Sequence, residues 1–218
     1  MPATLGLLAG RGSSELFTQR RAYLMVKRVM DILTCMLALL ALLPLFGLIA
    51  LMIKLDTPGP VLFTQLRTGR DGARFQMLKF RTMVQGAEEL KASLRHLSVV
   101  PWPDFKVIND PRVTRVGRIL RRTSLDELPQ VINVLRGEMT LVGPRPTSFD
   151  ASAYELWHTR RLDASPGMTG LWQVKGRHTT TFDERLRLDS RYIARRSFLF
   201  DLLILLGTVR AVFQRSGA

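Results

Sequence analysis

The chain has 218 residues, enough for one sizeable core or for a smaller core plus a membrane element, and its length alone does not call for two independent domains. A net charge of +14 and a pI near 11.2 are extreme for a soluble enzyme and point to polyanionic partners: nucleic acid, anionic lipid or phosphorylated substrates. The single cysteine, Cys35, excludes an internal disulfide and a cysteine-based metal site, which fits a reducing compartment.

The opening stretch, MPATLGLLAGRGSSELFTQR, interrupts a short apolar run with charge and glycine, which is not the pattern of a signal peptide, and residues 1–22 are expected to form a loose tail. The sustained apolar stretch is ILTCMLALLALLPLFGLIALMI, Ile32 to Ile53, with no charge between Asp31 and Lys54. At 1.5 Å per residue it is long enough to cross a hydrocarbon core of about 30 Å. One straight span is the plainest reading. Pro44 argues for a bend, because it deletes a backbone donor and clashes with the preceding turn. Both flanks are basic, with Arg20, Arg21, Lys27 and Arg28 before the stretch and Lys54, Arg67, Arg70, Arg74, Lys79 and Arg81 after it, so both ends belong on the cytoplasmic face. A re-entrant helix over residues 23–55, broken at Pro44 and leaving by the leaflet it entered, reconciles these features. The carbonyls freed at the break need partners, and Thr34 is the nearest obvious candidate.

Residues 56–218 are expected to form a catalytic domain. It starts with a β-hairpin, VLFTQLR and RFQMLKF around a turn at TGRDGA, in which Lys79 and Arg81 alternate with Leu78 and Phe80 and share one face. AEELKASLRHL, Ala87 to Leu97, has a helical pattern, PWPDFKVINDPRVT is a loop, and RVGRILRR is a short helix. Arg115, Arg118 and Arg122 recur at helical spacing on that helix, and a solvated face explains the stripe as well as a phosphate site does. A second short helix runs from Gln130 to Leu135 and ends at Gly137, and MTLVGPRPTSF is an extended piece leading into a rigid Pro144, Arg145, Pro146 turn. Phe149 to Leu162 is expected to be helical, SPGMTGLWQVKGRH to be a glycine-punctuated loop, and FDERLRLDSRYIARR a charged amphipathic helix. The final FLFDLLILLGTVRAVF is short for a span and belongs at the interface or docked on the core.

Asp126 and Glu127, in RRTSLDELPQ, are the residues to explain. Ser124 to Glu127 match a capping box, with Ser124 as the cap and Glu127 reaching back. Pro129 complicates this, since it biases Leu128 away from helical angles, and a helix starting at Pro129 would leave both carboxylates at its mouth. Adjacent carboxylates beside Arg121 and Arg122 also suit phosphoryl transfer, one attacking as a nucleophile while the other holds a hard cation such as Mg²⁺. Arg145, held stiff between prolines, could grip a phosphate through two parallel hydrogen bonds, and it could equally be a turn residue. His96, His158 and His178 have no metal-ligand spacing, and there is no P-loop or dinucleotide fingerprint. Trp172 and Gln173 could contact a base, or belong to the core.

KFRTM, NDPRVTRVGRILRRTSLDELPQVINVLRGEMTLVGPRP and PGMTGLWQVKGR together closely resemble the bacterial sugar transferase family, the monotopic phosphoglycosyl transferases that act on polyprenyl phosphate. The likeness runs from Lys27 to the final apolar segment. It implies a mixed α/β, mainly helical fold: a re-entrant membrane helix-break-helix, a small cytosolic domain with a short β-hairpin, and interfacial amphipathic helices. It implies transfer of a hexose 1-phosphate, glucose or galactose, from a UDP-sugar to undecaprenyl phosphate, releasing UMP and initiating exopolysaccharide, capsule or O-antigen synthesis. Asp126 corresponds to the family nucleophile that becomes a covalent phosphosugar ester, Glu127 to the Mg²⁺-holding residue, and Pro144, Arg145 and Pro146 to its Pro-Arg-Pro motif. Lys79, Arg81 and Arg122 match positions facing the phosphates, and Gln173 and Arg177 match a loop associated with nucleotide or sugar contact. The implied location is the cytoplasmic face of the bacterial inner membrane among its lipids, a homodimer being compatible with the form. Leu43 departs from the serine that many members place before the proline, and the start so close to the apolar stretch resembles the minimal catalytic form. The competing readings are a membrane-tethered nucleic-acid-binding protein, supported by charge alone, and an inactive glycan-assembly scaffold.

Overall fold

A computed structural model describes residues 3–99, 105, 107–150, 152, 154–175 and 181–213, with side chains from residue 21 to residue 211 within those ranges. The first element, α1, runs from Ala3 to Asp56, beginning inside the stretch expected as a tail and staying helical through Pro44. Its residues Arg21–Asp56 are the described helix that is long and apolar enough to cross a membrane.

One face of α1 is committed to the rest of the protein from Asp31 to Ile53. Asp31, Cys35, Ile49 and Ile53 are buried, at spacings of four, fourteen and four that return to the same side of a helix. The opposite side, from Met25 and Val29 through Leu33, Leu37 and Leu40 to Leu51 and Leu55, is exposed and apolar. Polar ties fix the buried face. Asp31 accepts from Leu141 N at 3.2 Å and from the Thr140 hydroxyl. Arg28 donates to the Val134 and Leu135 carbonyls at the end of the helix that carries them. Asp56 accepts from Val116 N at 3.0 Å. Tyr23 and Lys27 donate to Asp201, at 2.8 and 2.6 Å. The buried carboxylates Asp31 and Asp201 and the half-buried Asp56 each have a partner, as burial demands.

The hairpin forms as expected: β1 (Leu62–Thr68) and β2 (Arg74–Phe80) pair antiparallel, with Phe63 opposite Lys79 and Thr68 opposite Arg74. Its turn places Asp71 at φ 53. After it come α2 (Arg115–Thr123), capped by Thr114, whose hydroxyl accepts from Gly117 N, and α3 (Gln130–Arg136), closed by Gly137 at φ 85. Two three-residue strands, β3 (Thr140–Val142) and β4 (Gly167–Thr169), pair in parallel. Then α4 (Leu171–Lys175), α5 (Phe182–Arg195) and α6 (Phe198–Phe213) complete the chain, α5 beginning with a capping box from Thr181 and Glu184.

Three apolar clusters join these elements. Cys35 of α1 meets Phe75 and Met77 of β2 and Val131 and Val134 of α3. Ile49 and Ile53 meet Phe80 and Leu120, with the Phe46 and Phe80 rings edge to face at 5.2 Å. Val142, Leu171, Tyr192, Ile193 and Ile204 tie β3 to α4, α5 and α6. Burying each large aliphatic side chain contributes about 1.5–3 kcal/mol, so α1 is welded to the domain rather than loosely tethered.

Several local expectations are corrected. Ala87–Leu97 forms only two 3-10 turns, at Glu89–Lys91 and Arg95–Leu97, because Leu90 and Leu97 stay exposed and a short helix with no apolar face to bury is marginal. Helical structure in the Phe149–Leu162 region is a 3-10 segment over Leu156–Asp163. The expected loop SPGMTGLWQVKGRH contains β4 and α4, and this is possible because Gly143 and Gly167 approach so closely that a Cβ on Gly167 would lie 2.1 Å from Gly143 N.

Candidate active site

The dyad lies in the link between α2 and α3. Ser124 does not cap a helix with its side chain: it takes a left-handed conformation at φ 58 and ends α2, its N–H returning to Arg121 O at 3.2 Å. The capping box expected there is thus replaced by a helix stop. Leu125–Glu127 form a single 3-10 turn, and Leu128, despite preceding Pro129, is helical at φ −55, ψ −37. Pro129 is then the N-cap of α3, where its missing N–H costs nothing. The tight turn is what puts Asp126 and Glu127 side by side and inward.

Glu127 is gripped by two cations. Lys79 of β2 donates to Oε1 at 2.9 Å, and Arg145 brings both guanidinium nitrogens, Nη1 to Oε2 at 3.1 Å and Nη2 to Oε1. Burial pushes the Glu127 carboxyl up, but Arg145 and Lys79 outweigh it and hold it far below the usual carboxylate range. Asp126 is more buried, 9% exposed, and accepts no hydrogen bond among the described residues. Burial raises its pKa, with Lys79 the strongest opposing influence and Arg121 and Arg145 adding to it. The two neighbours are therefore driven apart, one firmly ionised and one whose ionisation is opposed by burial.

Pro144-Arg145-Pro146 follows β3 directly. Pro144 O accepts from Gly167 N at 2.8 Å, so the motif hangs on the β3–β4 pair. In front of it opens a cleft of about 1250 Å³, whose wall includes Lys79, Arg81, Arg118, Arg121, Arg122, Arg145 and Trp172. Lys79 and Arg145 stand between this space and the dyad.

The sequence-derived residues fall into two groups. Lys79, Asp126, Glu127, Pro144, Arg145 and Pro146 meet in one place, and Arg122 is exposed on the cleft wall. Arg81 lines the cleft, but its terminal nitrogens serve the Thr57 and Pro58 carbonyls just past α1. Gln173 is buried behind the wall, donating to Met168 O at 3.2 Å, while its neighbour Trp172 faces the cleft under Arg185. Arg177 lies outside the described residues.

Three further basic residues are in the site: Arg121, which the sequence reading set beside the dyad, and Arg67 and Arg161, which it did not place there. Arg121, not Arg122, acts on Asp126, and its Nε donates to Thr82 Oγ1 at 2.9 Å. Arg67 lies in the cleft, brought down to about 10 by burial and then by Arg145, a guanidinium under-compensated by its surroundings. Arg161 supports Arg145 from behind. Of these, Arg121 was legible from its adjacency to the stripe, whereas Arg67 and Arg161 carry no short-range signal.

No group of three or more His, Cys, Asp or Glu side chains able to hold a metal ion occurs among the described residues. The dyad offers one or two carboxylates. That suits a Mg²⁺ ion taking its remaining oxygens from a bound diphosphate and water, and does not suit an all-protein cage.

The family model for bacterial sugar transferases matches residues 22–215. The exopolysaccharide production protein ExoY of Rhizobium meliloti (strain 1021) is 39% identical over 199 residues, covering 89% of this chain and 88% of that protein. The UDP-glucose:undecaprenyl-phosphate glucose-1-phosphate transferase of Caulobacter vibrioides is 42% identical over 207 residues, 88% of this chain and 71% of that protein. The undecaprenyl-phosphate galactose phosphotransferase of Salmonella typhimurium is 42% identical over 204 residues, 91% of this chain but 43% of that protein. The chain spans less than half the length of this and several other curated relatives. With the match extending from the start of the apolar stretch of α1 to the end of α6, and with the carboxylate pair and its cations inside it, the chain belongs to the bacterial sugar transferase family.

Proposed function

We propose that this protein is a phosphoglycosyl transferase that moves a hexose 1-phosphate from a UDP-sugar to undecaprenyl phosphate, releasing UMP, and so initiates an exopolysaccharide or related glycan. The observation that carries the reading is Asp126, desolvated and without a hydrogen bond among the described residues, beside a Glu127 held ionised by Lys79 and Arg145 at a strongly cationic cleft. The names of the Caulobacter and Salmonella relatives support the two substrates and a glucose or galactose donor.

In the first half-reaction an Asp126 carboxylate oxygen attacks the phosphorus nearest the sugar. The bond from that phosphorus to the bridging oxygen breaks, and UMP leaves with the oxygen. In the second, a phosphate oxygen of undecaprenyl phosphate attacks the same phosphorus and Asp126 is restored. Arg145 and Lys79 lie where they can shift from Glu127 to the incoming diphosphate, and Arg121 and Arg67 supply further positive charge along the cleft. Mg²⁺ on the diphosphate would be held by Glu127 and would neutralise the phosphate oxygens.

The cytoplasmic face of the inner membrane is the proposed location, with the exposed apolar side of α1 and that of α6, Leu199, Leu203 and Leu206, in contact with lipid. Both flanks of the apolar stretch engage the same domain, Tyr23 and Lys27 through Asp201 and Asp56 through α2, and this supports placing both ends of the stretch on one face, with α1 helical through Pro44. Purified protein given donor alone should release UMP and gain a hexose-phosphate adduct by mass spectrometry, and Asp126→Asn should do neither. Adduct-free wild-type protein that still forms lipid product, or an active Asp126→Asn, would overturn the mechanism.

A further inference from the structure

The two prolines around Arg145 create a difficulty as well as stiffness. Pro144 and Pro146 have no N–H, so the Arg145 N–H is the motif's one backbone donor and its carbonyls and the Arg145 side chain carry the rest of the fastening. Pro144 O is taken by β4. Arg145 O is taken by the Nη2 of Arg161, a residue of the 3-10 segment Leu156–Asp163. Arg161 is itself buried, 6% exposed, and its Nη2 stands 2.9 Å from Oδ2 of Asp189 on α5, which is 1% exposed. A buried ion pair of this kind is costly to desolvate and is weak evidence for stability as such. Its geometry gives it another use.

We propose that Arg161 and Asp189 are positioning residues that hold the Arg145 backbone so that its guanidinium meets Glu127 and, in turn, the substrate phosphates. The chain of contacts is continuous: Asp189 to Arg161, Arg161 to the Arg145 carbonyl, Arg145 to both oxygens of Glu127, and Glu127 to Lys79. It links α5, the 3-10 segment, the motif after β3, the dyad turn and β2, five parts of the chain that no single element connects. Arg185 also acts on Asp189 from one turn earlier in α5. The consequence for the proposed transferase rests on that reading of function, but the restraint on Arg145 does not.

The test therefore has one arm without substrate. In thermal unfolding at about pH 8, above the point at which Asp189 ionises, Glu127→Gln and Arg161→Ala are measured singly and together. If Arg161 places Arg145 on Glu127, the melting-temperature loss from Glu127→Gln should shrink by at least about half in the Arg161→Ala background. Additive losses, the result for a pair that merely fastens α5 down, would overturn the proposal. Should Arg161→Ala fail to fold, Arg161→Lys and Asp189→Asn take its place in the same cycle. The second arm measures single-turnover UMP release and donor affinity. Arg161→Ala should slow release by on the order of 10²-fold with affinity changed less than about threefold, and added guanidinium should recover part of the rate. Lost affinity at an unchanged rate would make Arg161 a substrate ligand and overturn the positioning role. A wild-type protein inactive with every UDP-sugar would remove the functional reading and leave the unfolding arm to decide.

Discussion

Gly117 sits in the first turn of α2, where helix propensity alone says that alanine should stabilise by up to about 1 kcal/mol. The packing says the opposite. A Cβ at this position would lie 2.1 Å from the Thr82 carbonyl oxygen and 2.7 Å from two further backbone atoms of Thr82, against an ordinary contact of 3.4 Å or more, so α2 must retreat by more than about 1 Å. The obstacle is backbone and cannot turn aside. Overpacking of this kind costs about 1–3 kcal/mol, and retreat also stretches the bonds from Thr114 N to Thr82 O, 3.1 Å, and from Arg121 Nε to Thr82 Oγ1, 2.9 Å, each worth about 1 kcal/mol. The net expectation for Gly117→Ala is a loss of about 2–3 kcal/mol, or roughly 5–10 °C in melting temperature for a chain of this size. Because α2 runs straight into the dyad turn, a displacement near 1 Å should also slow donor turnover by on the order of 10²-fold. Thermal unfolding and single-turnover UMP release on the purified variant measure both. A variant as stable as the parent or more so, with unchanged turnover, would refute the close approach of α2 to Thr82 and the reasoning built on it.

Two further outcomes follow from burial and capping. Asp189, raised by burial to about 7 against Arg161 and Arg185, has a native pKa above its unfolded value, so it contributes stability that is present below about pH 4 and is lost as pH rises to about 7, on the order of 4 kcal/mol in all. Wild-type protein should therefore lose stability over that interval relative to Asp189→Asn, and parallel melting curves would show that the carboxyl titrates normally. Asp56→Ala leaves the first turn of α2 without the carboxylate that accepts from Val116 N, and should cost about 1 kcal/mol by denaturant unfolding; no loss would mean that water caps the helix as well.

Much of the domain was legible because it obeys short-range rules. The hairpin, α2, α3, α5 and α6 show the expected periodicity and stop signals, such as Gly137 at the end of α3 and Thr181 and Glu184 at the start of α5. Ser124 misled because its neighbours imitate a helix start, when α2 is ending there and the left-handed turn is imposed by tertiary structure. Strand β4 was missed because three residues carry no alternation and exist as a strand only through pairing with β3. In the site, the dyad and Pro-Arg-Pro were visible as an ordered string, while the Lys79–Glu127 contact joins residues 48 apart and Arg161–Asp189 is a buried pair written in residues that look like any other surface charges. Periodicity reports which face is inside. It does not report which charges share the inside.

The docking of α1 has one more consequence. Asp31 is held at β3 and Asp56 at α2, a separation of about 37 Å along a helix rising 1.5 Å per residue, and the buried face keeps phase between them. An added or deleted residue anywhere in that interval would rotate one anchor by about 100° relative to the other, so neither carboxylate could be satisfied without releasing the second. The apolar helix therefore acts as a strut whose length and angular register are set by its two anchors, a restraint that its exposed outer side does not share.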